Sequence, residues 1–231
     1  MKIVALVRTL NEQRNIADFC AAYDWTDMVL VADGGSEDDT VFIAEQFPNV
    51  WVREFDVEIH YPSGYVENPH GRHFNFLSDW AREEEAEWVI FDDCDCRPNP
   101  ILAQQARVLI EETDRRCIMV PRLHIWGTEE YLPKMTSGPS LWAWKLDDQC
   151  TIRGTDKLYG LELENIPDDC LELSEPFCLL HYSYPDEETV QAKIAWYKGV
   201  GRNLVHPLEG IYAPPQPLPE WVFDDVANAT S

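Results

Sequence analysis

WVIFDDCDCRPNP, residues 88–100, decides how the rest of the chain is read. Trp88 to Phe91 is an unbroken apolar run of strand length, the pattern of a strand buried on both faces. Asp92, Asp93 and Asp95 follow at once, so three carboxylates lie just past its end. Pro98 closes the segment. Asn99-Pro100 then opens a helix, with Asn as the cap and Pro at the first helical position.

Working outward, the same unit recurs. Lys2 to Val7 (KIVALV) and Met28 to Ala32 (MVLVA) are further buried strands, Val50 to Arg53 is a short one, and Cys117 to Pro121 is a fifth. Helical spacing of apolar residues runs through Asn11–Tyr23 (Ile16, Phe19, Cys20) and His73–Ala86 (Phe74, Leu77, Ala81). Ser36 with Asp39 three residues on has the form of a capping box and predicts a helix to about Phe47. Residues 56–71, rich in Pro, Gly and His, read as a loop. Alternation to about residue 122 predicts an α/β fold, a mainly parallel central sheet with helices on both faces. Beyond it, Ser140–Lys145 (SLWAWK) reads as a strand. Alternation puts Trp142 and Trp144 on one face, to stack a sugar ring or to pack the core. Glu187–Gly199 reads as an amphipathic helix with Val190, Ile194 and Tyr197 in register. Lys198 and Arg202 lie one turn apart near its end, solvated or facing phosphate. Four prolines make Tyr212–Pro219 extended.

Composition narrows the function. The 231 residues carry a net charge of -24, from 42 acidic and 18 basic side chains. Nucleic-acid surfaces need clustered Lys and Arg, so no nucleic-acid partner is expected. A diphosphate would be repelled as well, unless a divalent cation reversed the field locally. No stretch is long and apolar enough to span a membrane, and Arg8 interrupts the only candidate signal segment. The expectation is a cytoplasmic protein whose seven scattered cysteines are reduced. Cys94 and Cys96 form a C-x-C pair without a second pair at zinc-finger spacing, so no structural zinc site is expected.

Ligands of parallel sheets lie beyond the carboxyl ends of the strands. There the sequence places Arg8, Thr9, Asn11 and Glu12, then Asp33-Gly34-Gly35-Ser36, then Asp92-Asp93-Cys94-Asp95. Residues i and i+2 of an extended chain project to one side, so Asp93 and Asp95 can share Mg²⁺ or Mn²⁺ while diphosphate oxygens complete the shell. Carboxylates packed together without a cation would be costly. Asp33 before two glycines can accept hydrogen bonds from a base or ribose.

Four segments in order carry a resemblance: VRTLNE (Val7–Glu12), VADGGSEDDT (Val31–Thr40), NFLSDWA (Asn75–Ala81) and WVIFDDCD (Trp88–Asp95). Together they resemble family 2 glycosyltransferases, enzymes of the A-type nucleotide-sugar transferase fold. The resemblance implies that Thr9, Glu12 and Asp33 contact the nucleoside. It implies that Asp93 meets the ribose and metal side of the donor and that Asp95 ligates the metal. HYSYPDEE (His181–Glu188) is similar to a segment bearing a metal-binding His, which would be His181. The implied reaction moves a sugar from a nucleoside-diphosphate-sugar to a hydroxyl of a glycan, lipid carrier or protein, with inversion. Residues 1–125 would hold the donor, and 126–231 would be the acceptor-side half of the same domain.

Three places differ from the family pattern. Phe74 stands where an Arg is common, and Arg72 is the nearest substitute. Cys96 replaces the acid that commonly follows the two metal-side aspartates. The usual Glu-Asp pair supplying the base has no clear counterpart; Asp147 and Asp148 are the candidates, with Glu162, Glu164 and Asp186 as competitors. Two other readings stand beside this one. A sugar nucleotidyltransferase would need a glycine-rich loop after the first strand, where this chain has Arg8-Thr9-Leu10-Asn11. A non-catalytic sugar-nucleotide binder would share the fold without the base.

Overall fold

The computed structural model describes residues 1–55, 59–60, 66–67, 70–132, 139–148, 151–157, 160–184, 186, 188–191, 195 and 215–223. Of the expected helix at 187–199 only 188–191 and 195 fall among them. Lys198, Arg202 and the start of the proline tail lie outside.

The buried apolar runs become the middle of a seven-stranded sheet. β1 (Ile3–Thr9) pairs in parallel with β2 (Met28–Asp33), and β2 with β3 (Val50–Glu54). β6 (Trp88–Phe91) is parallel to β1 on its other side. β8 (Cys117–Val120) would follow, but β11 (Ser140–Lys145) is inserted antiparallel between β6 and β8, and β14 (Cys170–Glu172) forms the edge beyond β8. Helices α1 (Ile16–Ala22), α2 (Thr40–Ala44) and α4 (Pro100–Glu112) pack on one face through Ile16, Phe19, Ala44, Leu102 and Ala106. Helix α3 (His70–Glu83) covers the other face with Phe74, Leu77 and Ala81. The hairpin β12–β13 (Arg153–Lys157, Gly160–Glu164) lies beside α3. The chain is thus α/β, with a large, mainly parallel sheet between helices.

Where the elements differ from expectation, side-chain chemistry gives the reason. The first helix starts only at Ile16. Asn11 adopts a left-handed φ of 56°, and the N–H groups of Asn11 and Gln13 donate to Ser36 and Asp38 in the loop after β2, that of Glu12 to Thr40 at the start of α2. α2 spans five residues, and Ser36 is no capping-box residue, because its hydroxyl donates to Asp33. The 56–71 stretch carries two short paired strands, β4 (Ile59–His60) and β5 (Val66–Glu67), and α3 starts at His70. Asn99 caps α4 as expected, accepting from the Leu102 N–H at 3.2 Å.

Trp142 and Trp144 do not share a face. A bulge between Leu141 and Ala143 breaks the two-residue alternation. Trp142 therefore joins the core beneath α1 and α4, and Trp144 joins the core beneath α3. Both indoles are fully buried, so neither can stack a sugar. Each removes on the order of 200 Å² from water, roughly 5 kcal/mol of transfer free energy.

A second sheet orders β16 (Gln216–Pro217), β10 (Glu130–Tyr131), β9 (Arg122–Trp126), β15 (Leu179–Tyr184) and β7 (Cys96–Pro98). β15 lies parallel to β9 and antiparallel to β7. Two strands from beyond residue 126 are therefore woven between strands from before it. The expectation of reduced thiols fails at one pair. Cys117 and Cys170 sit opposite each other in neighbouring strands and form a disulfide; Cys20, Cys94, Cys96 and Cys178 are free and buried. No described helix is long and apolar enough to cross a membrane.

Candidate active site

The carboxyl ends of β1, β2 and β6 meet at one edge, because their registers align Thr9 with Asp33 and Leu6 with Phe91. Asp92 and Asp93 thus emerge beside Arg8. Past them the chain does not stay extended. The Cys96 N–H donates to the Asp93 carbonyl at 2.8 Å, closing a turn that sends Cys94 into the core. Asp93 and Asp95 stay on the outer side, brought together by this turn rather than by strand alternation.

β15 completes the cluster. Pairing sets His181 opposite Cys96 on one side and His124 on the other. His181 Nε2 lies 3.1 Å from Asp95 Oδ1, and its buried Nδ1 has no hydrogen-bond partner among the described residues. One donor atom each from Asp93, Asp95, Cys96 and His181 falls within 4.8 Å of the others. A set of carboxylate oxygens with an imidazole nitrogen fits a divalent ion such as Mn²⁺. The expected metal residues Asp93, Asp95 and His181 are thus brought together.

Two arginines hold the acids. Arg8 reaches Asp93 at 3.0 Å, and Arg122 spans Asp92 at 3.0 Å and Asp93 at 3.4 Å. Burial opposes ionisation of Asp93, but the two guanidinium groups overcome it and hold its carboxyl well below the usual range. Asp92 is deeper. Burial pushes it up to about 6 against the pull of Arg122. Behind it, the Tyr23 hydroxyl donates to Asp92 at 3.1 Å and accepts from the Trp142 indole at 3.3 Å. Arg122 and this buried chain escape a reading based on acids alone. The signal was the alternation of polar Arg122 and His124 with buried Leu123 and Ile125 along β9.

The expected nucleoside contacts are placed differently. Asp33 is buried and its carboxylate is spent on its own loop. It accepts from Thr9 Oγ1 (2.8 Å), Gly35 N (3.0 Å), Ser36 N (2.7 Å) and Ser36 Oγ (2.6 Å). Gly35, at φ 88°, permits that turn. Thr9 and Asp33 therefore build the floor rather than offering open acceptors. The same loop takes the Asn11 N–H on Ser36 Oγ, fixing the approach to Glu12. Arg72 is exposed on the first turn of α3. Beside it, burial, with Arg8 adding, lowers His73 to about 4, so its neutral ring donates to the Ala32 carbonyl at 2.9 Å.

Asp147 and Asp148 are corrected. They follow β11, which runs antiparallel to β6, so they emerge at the amino end of the parallel strands, away from Asp93. Asp147 pairs there with Arg116 at 3.1 Å. Glu162 and Glu164 lie on the hairpin beside α3. Asp186 is different. A cleft of about 820 Å³ opens next to the cluster, and Glu12, Asp95, Arg97, Tyr182 and Asp186 line it. Arg97 stacks on the Tyr182 ring at 4.5 Å and pairs with Asp18 at 2.9 Å.

No protein-family model matches the sequence, and no curated protein matches it significantly. Solved structures do. The fold is that of the A-type nucleotide-sugar transferases. The chain is similar to S. aureus TarS 1-349, with 18% identity, a TM-score of 0.57, and coverage of 90% of this chain and 68% of that one. TarS 1-349 solved with UDP-GlcNAc gives 16%, 0.56, 90% and 69%. Glucosyl-3-phosphoglycerate synthase from Mycobacterium tuberculosis, solved with Mn²⁺, UDP and glucosyl-3-phosphoglycerate, gives 15%, 0.54, 94% and 87%. The chain spans 41% of the longer TarS structure.

Proposed function

We propose that the chain is a glycosyltransferase, similar to family 2, that takes a sugar from a nucleoside-diphosphate-sugar and passes it to a hydroxyl with inversion. The observation that carries this reading is the convergence of Asp93, Asp95 and His181 at the carboxyl edge of the sheet, beside an open cleft. UDP is the first nucleotide to test, since the structural neighbours were solved with it. Asp93, Asp95 and His181 would hold Mn²⁺ or Mg²⁺, which supplies positive charge against the departing diphosphate. Arg8 and Arg122 add fixed positive charge at the same edge.

Glu12 and Asp186 line the cleft where an acceptor would lie. Asp186 is our candidate for the base that takes the acceptor proton, replacing Asp147 and Asp148 in that role. It caps the turn at Thr189 through Oδ1 at 2.7 Å, which fixes the orientation of the carboxylate. The acceptor is a hydroxyl of a glycan, lipid carrier or protein.

The test is a thermal-shift screen of nucleoside diphosphates with and without Mn²⁺. A nucleotide that stabilises only with metal is expected, and Asp95→Ala should abolish that shift. Asp186→Asn should keep the shift and lose sugar transfer. Full transfer by Asp95→Ala would defeat the reading. Arg8 and Arg122 favour one rival, in which guanidinium groups alone meet the diphosphate. Nucleotide binding unaffected by EDTA would identify it.

A further inference from the structure

Cys96 occupies the position where the sequence departs from the family pattern, and the structure turns its sulfur into the metal cluster rather than away from it. Antiparallel pairing of β7 with β15 sets Cys96 directly opposite His181, so both side chains leave the sheet on the same side. The turn at 93–96 brings the two carboxylates over them. The result is one sulfur, one imidazole nitrogen and two carboxylate oxygens, each within 4.8 Å of the other three. Neighbouring Cys94 packs into the core cluster under α1 and α4, so the two cysteines of the C-x-C pair differ in what they can reach.

We infer that Cys96 is a metal ligand and that the site is selective for thiophilic or borderline divalent cations over Mg²⁺. This rests on the metal-binding reading above and deepens it. Mg²⁺ demands near-octahedral oxygen coordination and keeps its water, whereas a thiolate with imidazole and carboxylate suits Zn²⁺, Cd²⁺, Co²⁺ and, less strongly, Mn²⁺. As the metal–sulfur bond forms, the thiol releases its proton to solvent, and no electron is transferred. Burial and the neighbouring carboxylates, Asp92 first, raise the Cys96 thiol, so its proton leaves only as the charge of the arriving cation offsets them. Asp92, Asp93 and Asp95 against Arg8 and Arg122 leave one net negative charge beside the site before a cation arrives. Full burial of Cys96 keeps water from competing for the sulfur.

The experiment titrates the full-length protein with Co²⁺, without nucleotide, and reads the sulfur-to-cobalt charge-transfer band in the near ultraviolet. The band is expected in the wild type, absent in Cys96→Ser and Cys96→Ala, and present in Cys94→Ala. Competition against Co²⁺ then gives relative affinities. Cd²⁺ should exceed Mg²⁺ by at least about 100-fold in the wild type, and Cys96→Ser should cut that ratio by at least about tenfold. Co²⁺ bound without the band, or with a band that survives Cys96→Ser, overturns the inference and leaves the oxygen-ligated metal site standing. Failure of wild-type protein to bind any of these ions overturns both. Urea midpoints of the variants separate ligand loss from unfolding, and the wild-type band and selectivity stand even if a variant does not fold.

Discussion

Tyr23→Phe removes one oxygen from the centre of the molecule, and the structure says what it should cost. The Tyr23 ring is fully buried and touches Phe19, with centroids 4.7 Å apart. Phenylalanine keeps that packing and leaves no larger cavity. The hydroxyl, however, links Trp142 to Asp92. Its loss removes a hydrogen bond to a buried carboxylate, about 1.5–3 kcal/mol, and strands an indole N–H, about 1–3 kcal/mol. Asp92 keeps Arg122 as partner, which limits the first term. The expected loss is about 3 kcal/mol in urea unfolding, or about 6–12 °C in melting temperature for a chain of this size. Because Asp92 also positions Arg122 over Asp93, Mn²⁺ affinity should fall in the same variant. A loss below about 0.5 kcal/mol with unchanged metal affinity would refute the chain from Trp142 through Tyr23 to the site.

His73 should give the fold a pH dependence. Its folded pKa is depressed, from 6.5 to about 4, so the unfolded chain binds a proton more readily. The stability involved is fully present above pH 6.5 and is lost as pH falls through 4, up to about 3 kcal/mol. His73→Asn should flatten urea stability against pH across that window; an unchanged slope counts against the assignment. The Cys117–Cys170 bond closes a 53-residue separation, worth about 4 kcal/mol by loop closure. Reductant should lower the urea midpoint of the wild type and leave a Cys117→Ser, Cys170→Ser protein unmoved; a wild type indifferent to reductant contradicts it.

How much was legible in the sequence depends on which forces set each feature. β6, β11 and the Asn99 cap were readable because local pattern alone fixes them: unbroken apolar runs and one Asn-Pro step. The direction of β11 was not, since strand polarity is set by tertiary pairing, and that misplaced Asp147 and Asp148. The bulge at Leu141–Ala143 has no residue signature in SLWAWK, so the opposite burial of Trp142 and Trp144 was invisible. Asp33 looked like an open acceptor because sequence shows the carboxylate but not the four donors around it. Asp93, Asp95 and His181 were legible as chemistry, but their closeness depends on β15 pairing with β7 across more than eighty residues.

The interleaving of strands has a consequence for how the molecule is made. On a ribosome, β6 and β8 emerge before β11 exists to join them, and β7 and β9 appear well before β15 can bridge them. Neither sheet can close until late in synthesis, so β6, β8, β7 and β9 must wait with unpaired edges. The acidic character of the nascent chain, with its like charges repelling neighbouring copies, would keep such half-built sheets from sticking to one another during that delay.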